Sequence, residues 1–344
     1  MSELTAAIMS EGPIEIKPRA GAGGGAVEQF FVRAALAEKI KNTAALIKAA
    51  TEKITPDRPP VIAYSGGADS QVLLEIAARD AGIKPILIFA DTGIEYPETL
   101  PFIRAEAARY NLDLRIARPE RHYTETWKRN GWPFMGKIAA RLWNQNHPDA
   151  GFKLNCSECC LELKIKPARR IVKNLGARLQ ITGQKGKADD QARGLRSLKD
   201  GPLFFQRAHG IYILNPLTGW TDPEVAALAA ERGLPRHPAR DRGALTIGCV
   251  YCGGGAQFEN SGIRVLRHTW PEAWRRYIAD IGAGPVILAI KHRARMPEII
   301  QALIEIDLER GGTGHWRSGL EFLADTRPWV FDFIRKTPLK GYRR

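Results

Sequence analysis

The stretch that most constrains this chain is Val61-Ile62-Ala63-Tyr64-Ser65-Gly66-Gly67-Ala68-Asp69-Ser70, followed by Gln71-Val72-Leu73-Leu74-Glu75-Ile76-Ala77-Ala78. A short apolar run passes through a serine- and glycine-rich turn into a segment whose Val72, Leu73, Ile76 and Ala77 share one helical face. A strand feeding a helix through such a turn is suited to holding phosphate. Gly66 and Gly67 let the backbone approach an anion closely, and the open N–H groups of the first helical turn can donate to it with the hydroxyls of Ser65 and Ser70. In a purely structural turn the same residues would only cap the helix.

Downstream the chain keeps alternating strand and helix patterns. Ile83 to Ala90 is nearly all apolar, Leu100 to Tyr110 reads as a helix and Leu112 to Ala117 as a third strand. Arg178 to Lys185 reads as a fourth strand ending in a polar loop, and Ile211 to Leu217 as a further strand. Thr221-Asp222-Pro223-Glu224 opens another helix. Before the first strand, Gln29 to Ile54 suits an amphipathic helix. This order predicts an α/β fold with a doubly wound parallel sheet, Rossmann-like, binding ligands at the carboxyl ends of its strands. Residues 1–26 read as a flexible tail, 27–255 as the nucleotide-binding domain and 256–344 as a helical, basic C-terminal extension.

Two loops at strand ends, 65–70 and 91–99, are expected to face one pocket. Asp91, Thr92 and Gly93, with Glu95, are expected to orient Mg²⁺ or a ribose hydroxyl, whereas Glu98 better fits a capped turn. Lys185, Lys187 and Arg193 are cations placed to hold phosphate or sulfate oxygens, or else solvated surface charges. The stretch Tyr123 to Trp143 mixes Trp127, Trp132, Phe134 and Trp143 with basic residues. Two readings fit it, a lid that stacks on bases or a loop that packs its own aromatics.

The net charge is +14, and residues 161–200 (11 basic, 4 acidic) and 264–344 (15 basic, 9 acidic) carry nearly all of it. Such clustering fits a polyanionic partner, while a solvated basic surface is the plainer reading. No apolar run reaches the roughly 18 residues needed to span a bilayer. The N-terminus shows no basic region followed by an apolar block, so a cytoplasmic protein with no membrane partner is expected.

Five cysteines in a reducing compartment point to metal rather than to disulfides. Cys156, Cys159, Cys249 and Cys252 form two Cys-x-x-Cys pairs that suit structural zinc. Cys159, Cys160, Cys249 and Cys252 form an adjacent pair and a distant Cys-x-x-Cys, 88 residues apart, able to hold a 4Fe–4S cluster. Spacing alone leaves both readings standing.

Ser65-Gly66-Gly67-x-Asp69-Ser70 resembles the phosphate loop of the PP-loop ATP pyrophosphatases. The paired cysteines resemble the cluster signature of the adenylyl-sulfate reductases, a branch of the PAPS reductase family in that superfamily. Phe89-Ala90-Asp91-Thr92-Gly93, Tyr96-Pro97-Glu98-Thr99, Thr182-Gly183, Asn215-Pro216-Leu217 with Trp220, and Gly248-Cys249 look like that family in order, over residues 60 to 255. The resemblance implies an adenine nucleotide alpha hydrolase-like fold. It also implies a 4Fe–4S cluster on Cys159, Cys160, Cys249 and Cys252.

Two departures separate the chain from a reductase. Reductases of this family attack adenylyl sulfate with a cysteine near the C-terminus, and no cysteine follows Cys252 here. They also typically carry a degenerate loop, whereas Ser65 to Ser70 is complete. The resemblance then implies an ATP pyrophosphatase akin to the PP-loop component of DNA phosphorothioation systems and to tRNA-thiolating enzymes. It would adenylate a nucleic-acid oxygen and let sulfide or persulfide displace AMP, with a cysteine desulfurase as sulfur donor.

In that scheme Ser65, Gly66, Gly67 and Ser70 hold pyrophosphate, Asp69 helps place Mg²⁺, and Lys185 or Arg193 offsets charge on the reacting phosphate. Cys156 carries sulfur or is a spare or alternate ligand. The alternatives are a PAPS or adenylyl-sulfate reductase borrowing its thiol from elsewhere, and a nucleotide-binding subunit that docks a protein assembly with little catalysis of its own.

Overall fold

The computed structural model describes residues 25–134, 137–148, 152–186, 197, 200–244, 247–250, 262–281, 283, 286, 297–314, 318, 319 and 322. They pack as two compact units. One runs through Phe89 and takes in Glu98–Ala117 and Ala168–His237; the other takes in Ala90–Pro97, Arg118–Pro167 and the chain from Pro238.

The first unit is built on six short strands, β1 (Val61–Ala63), β2 (Ile86–Ala90), β3 (Leu114–Ala117), β4 (Leu179–Thr182), β5 (Leu203–Gln206) and β6 (Ile211–Leu214). They lie in the order β3-β2-β1-β4-β6-β5. β1 pairs in parallel with β2 and β4, and β4 with β6; β5 closes the edge antiparallel to β6. The expected doubly wound α/β sheet is therefore present, with one antiparallel edge strand that its sequence pattern did not announce. The strands are shorter than the apolar runs that predicted them, because Ile83 to Pro85 and Leu112 to Asp113 lie before the ladder begins.

Both sheet faces are covered, which is why these strands read as continuous apolar runs. On one face Ile62, Leu87, Leu179, Ile181 and Leu214 join helix α1 (Gly25–Ile54), whose Leu36, Ile40, Ala44, Ile47, Ala50 and Ile54 recur every three or four residues. Helix α2 (Ala68–Glu75) adds Val72, Leu73 and Leu74 and continues into a π-helical turn at Ile76–Asp80. On the other face Val61, Ile88 and Ala117 meet Ala168, Ile171 and Val172. Helix α1 begins at Gly25, a little ahead of the predicted Gln29.

The strand order reverses between β1 and β4. In open α/β sheets the crevice beyond the carboxyl ends at such a reversal is where ligands bind. The Ser65–Ser70 loop leaves β1, and the Gly183–Lys185 loop leaves β4.

The second unit is organised by aromatic side chains. Tyr123, Trp127, Trp132, Phe134, Trp143, Trp274 and Tyr277 are buried together with Leu163, Leu266 and Ile278. Of the two readings of the Tyr123–Trp143 stretch, the packed loop is the one observed: Trp127 and Trp132 are 1% and 2% exposed, so their faces are spent on each other. The elements here are α4 (Tyr123–Asn130), α5 (Lys137–Asn146) and α6 (Cys156–Cys160), which passes through a π-helical turn (Leu161–Ile165) into α7 (Lys166–Asn174), whose residues from Ala168 belong to the first unit. Beyond them come the helices Gly262–Thr269, Pro271–Arg275 and Pro297–Glu309. Among the described residues no helix is long and apolar enough to cross a membrane.

Candidate functional site

In the first unit the loop takes the form expected of a phosphate cradle. Gly66 sits at φ +75°, where an L side chain is strained, and an added Cβ would stand 2.9 Å from Cδ1 of Ile103. Gly67 is the N-cap of α2 and offers its first turn no side-chain cap. The hydroxyls of Ser65 and Ser70 are 3.2 Å apart, and Ser70 Oγ donates to the Gly67 carbonyl at 2.9 Å. Both hydroxyls thus lie at one helix N-terminus, where an anion is favoured.

The β4 loop is pressed against this turn. A Cβ at Gly183 would meet the Asp69 carbonyl carbon and oxygen and the Ser70 nitrogen at 3.1 Å, so Gly183 permits the approach. Two residues on, buried Lys185 donates to Asp69 Oδ1 at 2.7 Å and to Asp222 Oδ1. Burial works against the Lys185 ammonium, but its hydrogen bonds and attraction to Asp222 and Asp69 raise its proton affinity above the usual value. The segment is anchored by Thr182 Oγ1 to Asn215 Oδ1 (2.5 Å), Asn215 Nδ2 to Ser197 Oγ (2.6 Å) and Gly186 N to the Thr218 carbonyl (2.9 Å). Asp222 opens helix α8 (Asp222–Glu231), which carries a full capping box between Thr221 and Glu224.

In the second unit the 91–97 loop is tied to the cysteine segment. Val250 N donates to the Ile94 carbonyl at 2.6 Å. Thr92 donates to the Glu95 carboxylate from its amide (3.0 Å) and its hydroxyl (2.7 Å), and its Oγ1 lies 3.6 Å from Cys249 Sγ. Asp91 accepts from the Gly93 amide at 3.2 Å and from Arg118 Nε at 3.0 Å. Glu95, expected to orient Mg²⁺ or ribose, also lies 3.8 Å from the Cys249 thiol.

Cys159 is buried and accepts the Trp127 indole N–H at 3.2 Å. Lys164, in the π-helical turn four residues after Cys160, is the residue the sequence reading missed. Burial alone would lower its proton affinity, but the charges of Cys249, Glu95 and Cys160 and a hydrogen bond to Cys249 raise it well above the usual lysine value. Its one legible signal was position, since i and i+4 share a helix face.

The 65–70 loop and the 91–93 loop belong to different units. Arg193, Lys187 and Cys252 lie outside the described residues, as does the side chain of Cys156, whose backbone opens α6 behind an Asn155 cap. Among the described residues no group of three or more His, Cys, Asp or Glu side chains is close enough to hold a metal ion. The chemistry of the donors present nevertheless fits a thiolate-bound cluster. Lys164 lies where it offsets charge at Cys160 and Cys249, and Trp127 supplies an N–H to the Cys159 sulfur, a contact of the kind that tunes the potential of such clusters.

Residues 59–254 match the model of the phosphoadenosine phosphosulfate reductase domain. The chain is 30% identical over 196 residues to a phosphoadenosine 5'-phosphosulfate reductase of Xylella fastidiosa, covering 57% of this chain and 73% of that protein. It is 32% identical over 181 residues to an adenosine 5'-phosphosulfate reductase of Deinococcus radiodurans, covering 53% and 61%. Among solved structures, the phosphate complex of phosphoadenylyl-sulfate reductase from Candida auris aligns over 67% of this chain and 98% of that one, at 21% identity and a TM-score of 0.42. The matched span holds the Ser65–Ser70 loop, the Asp91-Thr92-Gly93 turn and all five cysteines, and over more than half its length the chain belongs to the phosphoadenosine phosphosulfate reductase domain family.

Proposed function

We propose that this family member is an ATP pyrophosphatase that activates a nucleic-acid oxygen for sulfur insertion, with DNA phosphorothioation as its setting. The observation that carries the reading is the complete Ser65–Ser70 loop at the sheet's switch point with Lys185 held against it. A substrate oxygen would attack the α-phosphorus of ATP, the bond to the β-phosphate bridging oxygen would break, and pyrophosphate would leave. The amides of the first turn of α2, with Ser65 and Ser70, would hold that leaving group, and Lys185 and Arg193 would offset its charge. Asp69 would help hold Mg²⁺, and Asp91, Thr92 and Gly93 would position the nucleotide.

A cysteine desulfurase would pass a persulfide to Cys156 by thiol exchange, the terminal sulfur would attack the adenylated atom and displace AMP, and an external thiol would then cleave the resulting disulfide, leaving sulfur on the substrate and a mixed disulfide on Cys156 for a second thiol to reduce. Cys159, Cys160, Cys249 and Cys252 would hold a 4Fe–4S cluster as its four thiolate ligands. The basic segments 161–200 and 264–344 would meet the nucleic-acid backbone.

Family membership supports a second reading, sulfite formation from adenylyl sulfate or its 3'-phosphorylated form. One pair of assays separates the two. Pyrophosphate release from ATP and Mg²⁺, stimulated by DNA, is the expected result. Sulfite release from adenylyl sulfate with thioredoxin, without pyrophosphate from ATP, would replace it with the reductase.

A further inference from the structure

The aromatic cluster of the second unit is not purely a packing device, because it sends one donor to a cysteine. Trp127 is 1% exposed and Cys159 is 7% exposed, and the indole N–H of the first donates to Sγ of the second at 3.2 Å. The ring that carries this N–H has little freedom to turn away. Tyr123, Trp132 and Phe134 pack on it, with ring centroids 5.1, 5.4 and 6.2 Å from its own. The backbone also ties α4, which carries the tryptophan, to α6, which carries the cysteine. Gly131 closes α4 by donating to the Trp127 carbonyl at 2.9 Å, and it sits at φ +106° where an added Cβ would stand 2.7 Å from the Lys153 carbonyl oxygen. The next residue uses that close approach. Trp132 N donates to the Lys153 carbonyl at 2.7 Å, and Asn155 N to the Trp132 carbonyl at 2.8 Å; Asn155 is the N-cap of α6. Packing and backbone together thus hold the indole N–H against the Cys159 sulfur.

A hydrogen bond to a ligating sulfur is charge-assisted, and it strengthens when the group that the sulfur serves gains an electron. It therefore favours the reduced state and raises the reduction potential. We infer that Trp127 is a positioning residue that raises the potential of a 4Fe–4S cluster through the N–H it donates to Cys159. The inference rests on reading Cys159, Cys160, Cys249 and Cys252 as the cluster's ligands. It separates two properties of the same side chain: the ring's apolar faces fill the core, as a phenylalanine would in part, whereas the N–H acts on the sulfur and no phenylalanine can supply it.

The test is an anaerobic redox titration of the full chain carrying its cluster, followed by visible absorbance and by the electron paramagnetic resonance of the reduced form. Four proteins are compared: wild type, Trp127→Phe, Phe134→Leu, and the chain with Trp127 replaced by benzothienylalanine, which keeps the shape of the ring and puts sulfur in place of the N–H. Iron and acid-labile sulfide are measured in each. Loss of the N–H should make the reduced state about tenfold less favoured at a given potential, a downward shift of about 59 mV for a one-electron step, in both Trp127 replacements. Phe134→Leu disturbs the same aromatic cluster without removing a donor, so it should lower the melting temperature and leave the potential at the wild-type value.

If Trp127→Phe fails to fold, the benzothienylalanine protein decides, since its packing is that of wild type. A potential that stays unchanged or rises in that protein would overturn the inference while the cluster stood. So would a potential lowered as far by Phe134→Leu, because the shift would then report packing and not the hydrogen bond. Stoichiometric zinc without iron in wild type would overturn the cluster reading and the inference together.

Discussion

Replacing Gly66 by alanine tests what holds the phosphate loop in shape. Gly66 sits at φ +75°, where an L side chain costs about 1–2 kcal/mol. Its new Cβ would also stand 2.9 Å from Cδ1 of Ile103 and 3.3 Å from the Phe102 ring. Ile103 is fully buried, so its terminal methyl must displace packed neighbours; overpacking of this kind adds about 1–3 kcal/mol. Together the two effects predict a loss of about 2–5 kcal/mol, or roughly 5–15 °C in melting temperature for a unit of this size. Gly210→Ala is the control, since Gly210 has φ +62° with nothing within 4 Å of an added Cβ and should show the backbone cost alone. Ile103→Val removes the offending methyl, so combined with Gly66→Ala it should recover about 1 kcal/mol relative to the sum of the single changes. Denaturant unfolding followed by tryptophan fluorescence measures all four proteins. Equal losses in Gly66→Ala and Gly210→Ala, with no coupling to Ile103→Val, would refute the packing argument.

Three further outcomes are expected. Lys185→Met should lower pyrophosphate release about a hundredfold, the scale of losing one charge-stabilising donor, and an unchanged rate would make Lys185 a structural ion pair only. Burial raises Glu106 above the ordinary 4.5 against the opposing pull of Arg109 and Gln71, so the folded state holds its proton more tightly than the unfolded chain. Its contribution to stability is therefore present below that ordinary value and lost as pH rises through the raised one; Glu106→Gln should flatten this part of the stability profile, and superimposable profiles would refute the assignment. Protein purified without oxygen should contain iron and acid-labile sulfide in equal amounts, with Cys159→Ser or Cys249→Ser losing both. Stoichiometric zinc in place of iron would overturn the cluster.

The parts of the fold visible in the sequence were those governed by local rules. Val61 to Ala77 combines a continuous apolar run, two glycines and a helical apolar face, each of which specifies its own backbone. The Thr221–Glu224 box was legible for the same reason. Strand β5 was not, because Leu203-Phe204-Phe205-Gln206 is a four-residue edge whose outward Phe205 is 44% exposed; its pairing with Ile211–Leu214 supplies the order its own composition lacks. Aromatic content likewise could not choose between a base-stacking lid and a packed core for Trp127, Trp132 and Phe134. Burial decides it, and burial depends on Tyr277 and Trp274, far along the chain.

The same division runs through the site. The turn formed by Ser65, Gly66, Gly67 and Ser70 could be read locally because its backbone and hydroxyl geometry is set by consecutive residues. Lys164 and Asp222 could not, since each acquires meaning from a charge brought to it over a long sequence distance: Lys164 from Glu95 and Cys249, Asp222 from Lys185. In a segment with 11 basic residues between 161 and 200, nothing in the sequence sets Lys164 apart except that it follows Cys160 by one helical turn. Asp222 was hidden differently, in a motif already explained by helix capping. A residue that satisfies one local rule can still make a second contact, and here the second is the ion pair that holds Lys185 beside Asp69.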